Sequence, residues 1–177
     1  MDSNESTQVL AKAILEQYGA ALKMLEKLVN QCPDDYWNYT SSSPPFYKVV
    51  HHTLFFLDFY LSSTKEERSS FTPRFPEQED YRTSEKNFEE TSVDPLTKGD
   101  VLLYLEEVRG KIKERFRNVT SLDLIEESVF EWHGSSVMSS VLYNLRHVML
   151  HVGALGTRLR QKGMEDGYWV SQDKRLE

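Results

Sequence analysis

The chain has 177 residues, 39% of them hydrophobic and 28% charged, with a formal net charge of −7. That length suits one domain with a substantial core better than two. The acidic balance argues against a nucleic-acid interface, which needs a basic face to displace counterions, and against attachment to an anionic membrane.

The segment MDSNESTQ at the start is polar and acidic, unlike the basic start and apolar run of a signal peptide. Residues 6–31 follow as a first helix. Val9, Leu10, Ala13, Ile14, Ala21, Met24, Leu25 and Leu28 recur at helical spacing, with Ser6 or Thr7 to cap the start and Pro33 just past the end. The single cysteine, Cys32, excludes an internal disulfide and fits a reducing compartment. It reads as a helix-end residue, since nothing close in sequence would activate a thiol there. DDYWNYTSSSPPF is expected to be a loop.

A second helix is expected from Phe46 to Ser62, with Pro45 at its entry. Val49, Val50, Leu54, Leu57 and Leu61 give its apolar face, which Phe55, Phe56 and Phe59 widen. The apolar run around 54–61 is broken by Asp58, and no stretch approaches the ~18 apolar residues of a membrane span. A cytoplasmic protein is therefore expected.

Residues 63–97 form a long polar connection with Pro73, Pro76 and Pro95. Connections of this length carry a short helix or a lid, or simply cross from one end of a bundle to the other. A third helix is expected over 98–116, capped by Thr97 or Asp100, with Val101, Leu102, Leu105, Val108 and Ile112 as its core stripe. A loop carrying Trp132 and His133 leads to a fourth helix over 137–162, apolar on most faces and ended by Gly163. Arg158, Arg160 and Lys162 suit the negative end of that helix. Residues 164–177 are expected to be a loosely docked tail. No strand alternation or repeat appears, so the predicted fold is an all-α four-helix bundle, its core about 6–163, with a long connection between helices two and three.

The chain has five histidines. His147 and His151 stand four apart, stacked on one helix face with Cβ atoms roughly 5–6 Å apart, a spacing that lets two imidazoles share one metal ion. In so apolar a helix their nitrogens need partners. Two core histidines bonded to Tyr143, Asn144 or a facing helix would meet that need as well. A third ligand must come from another helix. His51 and His52 lie about 100° apart on helix two, so one of them faces the bundle centre. His52 shares a stripe with Phe55, Phe56 and Phe59. His51 aligns with Asp58 and is expected to point outward or toward a neighbouring chain. His133, in a loop, is a weaker candidate.

The segments PPFYKVVHHTLFFLDFYLS and SSVLYNLRHVMLHVGALGTRLRQKG resemble the DinB/YfiT-like superfamily. There, an aromatic-flanked His on helix two is joined by an HxxxH on the last helix, preceded by Asn and Arg and followed by Gly. The matching residues here are His52, Asn144, Arg146, His147, His151 and Gly153. The resemblance implies one DinB-like domain over 1–177, an up-down-down-up bundle, and His52, His147 and His151 as ligands of one divalent metal ion. Zinc, nickel, iron and manganese all accept imidazole, with zinc or nickel favoured. It also implies frequent homodimers and a small-molecule or low-molecular-weight thiol substrate. Relatives act as thiol-dependent S-transferases, thiol-assisted isomerases or metal-dependent hydrolases. One departure stands out: relatives often read HxGQL where this chain reads HVGAL, so Ala154 replaces a polar group of the kind that orients ligands.

Three neutral imidazoles would leave an ion its full charge and open positions, as in catalytic sites, whereas closed structural sites use four protein ligands. No carboxylate near the histidines is fixed by the sequence; Glu131 and Asp58 are the candidates for a base. A metal-dependent transferase or hydrolase is expected, and a non-enzymatic protein whose metal stabilises the bundle or a dimer is the alternative.

Overall fold

The computed structural model describes residues 3–39, 43–78, 93–164 and 167–176. Four long helices dominate: α1 (Ser3–Gln31), α3 (Phe46–Phe59), α5 (Lys98–Arg117) and α7 (Val137–Gln161). Short helices α2 (Asp34–Trp37), α4 (Lys65–Ser70) and α6 (Ser121–Ile125) and two 3-10 turns (Glu131–His133 and Lys174–Leu176) fill the connections. Among the described residues there is no strand, and no helix is long and apolar enough to cross a membrane.

The helix boundaries follow local chemistry. At α5 the two candidate caps act together. Thr97 accepts from the backbone N–H of Asp100, and the Asp100 carboxylate accepts from that of Thr97, a reciprocal capping box. Thr120 and Asp123 repeat the device at α6, and Ser136 caps α7. At the far end of α7, Gly163 takes a left-handed φ of 81°. Its N–H and that of Met164 then close on the carbonyls of Arg160 and Leu159.

α1 packs against α5 and α7, and α3 packs against the same two helices from the other side. Single contacts give the directions. Tyr18 stacks on Phe116 while Lys98 reaches the carbonyl of Cys32, so α1 and α5 run oppositely. The Tyr18 hydroxyl, midway along α1, donates to the Val141 carbonyl near the start of α7, and Arg158 near the end of α7 donates to the Tyr36 hydroxyl just past the end of α1, so α1 and α7 run together. Asn144 donates to the Leu57 carbonyl and Arg158 to that of Pro44, so α3 opposes α7. Leu22, Leu25, Leu28, Val50, Leu54, Leu57, Val108, Ile112, Val152 and Leu155 meet between them with no solvent exposure.

Asp58 does not break the core so much as cross it. Its buried carboxylate accepts from Lys111 Nζ at 2.8 Å and from the Tyr104 hydroxyl at 3.0 Å, tying α3 to α5. Cys32 is a buried helix-end residue whose thiol is pushed up to about 12 by burial, which keeps it protonated and unreactive. The basic cluster at the end of α7 has partners beyond the helix dipole. Arg158 lies over the Tyr36 and Phe46 rings and Lys162 over Tyr36 and Tyr39.

Several expectations need correction. α1 begins at Ser3, so Ser6 and Thr7 lie within it instead of capping it. The loop after α1 contains the helical turn α2, whose Trp37 is buried and donates to the Leu96 carbonyl at 2.6 Å. The second long helix ends at Phe59, three residues early. The tail is not loose. Leu176 is 1% exposed within the core, and Arg175 binds Glu26 of α1 and Asp173, both at 2.6 Å. Two glycines make room for it. A Cβ on Gly19 would sit 2.7 Å from the Asp173 carbonyl oxygen, and one on Gly156 within 2.7 Å of the Tyr168 ring and hydroxyl.

Candidate metal centre

α3 opposes α7 closely enough to bring residues 95 apart in sequence into contact. His52 stands in the second turn of α3, and His147 and His151 stand at the middle of α7. Their Nε2 atoms converge. That of His147 lies 3.3 Å from His52 Nε2 and 3.1 Å from His151 Nε2. Among the described residues this trio is the one cluster of His, Cys, Asp or Glu able to hold a metal ion, its ligand atoms all within 4.8 Å of one another.

The two short separations, from His147 to each of the others, are those of ligands on one ion. Two nitrogens each about 2.0–2.1 Å from one metal stand about 3.3 Å apart at a tetrahedral angle and about 2.9 Å apart at a right angle. Hydrogen bonding alone fits less well. An imidazole Nε2 carries either one proton or one lone pair, yet His147 Nε2 faces two ring nitrogens at bonding distance. A single cation satisfies three lone pairs at once.

Aromatic rings and one buried amide pack around these imidazoles. Phe56 lies 4.7 Å from the His52 ring and 5.7 Å from that of His147, and Tyr60 lies 6.2 Å from His147 (ring centroids). Asn144, one turn before His147 and 1% exposed, pins α7 to α3 through its bond to the Leu57 carbonyl. Tyr60 escaped the sequence reading although it continues the His52–Phe56 stripe at four-residue spacing, which was the available signal.

His51 does not point outward. It is buried, its ring 6.1 Å from Phe75 of the connection and 6.2 Å from Phe55. It is not among the three clustered histidines. Accordingly, His51→Ala is expected to leave metal stoichiometry near that of the parent after dialysis, while His52→Ala loses the metal. Equal losses in elemental analysis would contradict the assignment.

Neither candidate base joins the cluster. Asp58 is committed to Lys111 and Tyr104, and Glu131 sits exposed on a 3-10 turn. His133 is also apart. It is sandwiched between Tyr143 and Phe130, at 3.9 and 4.9 Å, and its Nδ1 lies 3.2 Å from Ser140 Oγ. Burial first, and then the Arg146 charge, pushes its pKa down to about 4.

An unfolded imidazole titrates near about 6.5, so on acidification the unfolded chain takes up this proton before the folded one does. The stability His133 contributes by staying neutral is complete above about pH 6.5 and is lost as the pH falls toward about 4. A His133→Gln variant should therefore show a flatter urea midpoint across that window than the parent, both metal-free. Parallel slopes would refute this.

Residues 17–155 match the family model of the DinB superfamily, a span that holds all three clustered histidines, and the chain belongs to that superfamily. No curated protein matches the chain, and no solved structure does.

Proposed function

We infer that this DinB-superfamily protein is a divalent-metal-dependent enzyme whose ion is held by His52, His147 and His151, and that its reaction is transfer to or from a thiol. The convergence of three ring nitrogens from two helices carries the reading. When bound, such an ion supplies Lewis acidity, lowering the pKa of a thiol or water that reaches its open positions.

The chain's own residues do the rest. The three imidazoles donate neutral lone pairs and so leave the positive charge of the centre intact. Phe56 packs its ring against those of His52 and His147, and Tyr60 packs against His147, which orients the ligands. Asn144 fixes the distance between the two ligand-bearing helices.

The thiol route is favoured over hydrolysis by the site's lack of a carboxylate among the described residues. Water attack calls for a positioned base, whereas a thiol titrates near about 8.5 and ionises at neutral pH with a modest push. Zinc and nickel are the metals best suited to a thiol among nitrogen ligands.

The test is elemental analysis of protein purified without a metal-affinity step, followed by a screen of the zinc- and nickel-loaded forms with low-molecular-weight thiols and electrophiles. One ion per chain and metal-dependent thiol consumption are expected. Chelation should lower the melting temperature by about 5–11 °C, from the ~2.7 kcal/mol that a ligand at a hundred times its Kd contributes, and leave helicity nearly unchanged. Outright unfolding on chelation would favour a purely structural metal.

A further inference from the structure

Beside His52, on the face of α3 turned toward the connection, lies a cavity of about 210 Å³ lined by His51, His52, Phe55, Phe56, Pro73 and Gln78. The four α3 residues fall on one helix face by their spacing of three and four. Pro73 and Gln78 close the opposite side. We propose that this cavity is a substrate subsite for a neutral aryl group, one ring carrying a hydrogen-bond donor. The proposal rests on the metal-centre reading for its meaning, since His52 belongs to both sites.

Size is the first argument. An apolar cavity of about 150 Å³ accepts benzene, so this one takes a single ring with a small substituent and little more. Ring geometry is the second. Phe55 and Phe56 stand 4.9 Å apart at 76°, two nearly perpendicular walls. An aryl guest can stack offset on one and present its edge to the other, the two arrangements that aromatic pairs prefer.

Charge is the third argument. Among the described residues no Lys, Arg, Asp or Glu lines the cavity, so an ionic guest would be desolvated there without a counter-charge, and a cation would also face the charge of the neighbouring ion. The fourth is a polar handle beside the two imidazoles. Gln78 is buried, and its Nε2 donates to the Asp94 carbonyl at 3.0 Å. That bond fixes which end of the amide is nitrogen and leaves Oε1 as an acceptor. A guest that donates a hydrogen bond is selected over one that cannot.

The probe is phenol, titrated into the metal-free protein and followed by amide shifts in NMR. Saturable shifts are expected at residues 51–56 and 73–78, with anisole, which lacks the donor, binding more weakly. Gln78→Leu should cut phenol affinity about fivefold and leave anisole unchanged. Should that variant fail to fold, the phenol–anisole difference on the parent protein decides the point. Phenol shifts that never saturate, or that map elsewhere, overturn the proposal.

A second arm uses zinc-loaded protein. Phenylmethanethiol should bind at least about tenfold more tightly than ethanethiol, the ring supplying the difference by burial. Equal binding of the two thiols also overturns it. If zinc fails to load, the metal reading falls, and the metal-free phenol titration still judges the cavity.

Discussion

Replacing His147 with alanine is expected to abolish stoichiometric metal binding and, with it, the protein's sensitivity to chelators. His147 is the hub of the trio, its Nε2 within 3.3 Å of both other ring nitrogens. Without it, His52 and His151 remain on separate helices with nothing to hold a third ligand position. The loss in affinity should exceed the ~10–100-fold that removal of a supporting hydrogen bond costs a metal site. His147 is half-buried, so the metal-free variant should keep its helicity and melt close to the metal-free parent. The decisive comparison is the melting temperature with and without chelator in parent and variant. A variant that still responds to chelator would show that the metal sits elsewhere. A loaded parent that does not respond would show that these histidines are not the site.

Leu176→Ala is expected to destabilise the protein by about 2–5 kcal/mol, the range for truncating a leucine in a packed interior. At 1% exposure Leu176 is as buried as the residues of the long helices, and its 3-10 turn packs on α1 and α5. Trp169→Ala is the control. That side chain is far larger but 71% exposed, so its loss should move the urea midpoint little. If the two substitutions have similar small effects, the tail is not part of the core.

The long helices were legible because each buries one face continuously, and a repeat of three and four over several turns leaves few other readings. The three histidines were legible for the same reason, since two share a face of α7 and one shares the aromatic face of α3. What escaped the reading has no periodicity to reveal it. DDYW is a single turn, too short for a repeat. Leu176 and Arg175 anchor the tail as isolated residues whose turn packs on α1 and α5, with Arg175 reaching Glu26, 149 positions away. His51 was misplaced because its own helix neighbours could not show what covers it; Phe75 comes from a segment whose composition reads as solvent-exposed. The cavity beside His52 was invisible in the same way, because two of its walls, Pro73 and Gln78, come from that segment.

The order of helices around the bundle bears on how fast it assembles. α1 and α3, consecutive long helices in the chain, sit across from each other rather than side by side, and so do α5 and α7. Of the three successive long-helix pairs, only α3 and α5 can dock as neighbours early. The remaining seams join residues 66, 123 and 95 positions apart, as at Lys98–Cys32, Tyr18–Val141 and His52–His147. Closing such loops costs little more stability than closing short ones, because the entropy grows only logarithmically with length, but a search dominated by distant partners is slow. Refolding should therefore lag behind that of a bundle of equal size whose helices pack in sequence order. The His52–His147 seam is one of those long closures, so an ion there would act mainly after the rate-limiting step, slowing the opening of the finished bundle rather than hastening its formation.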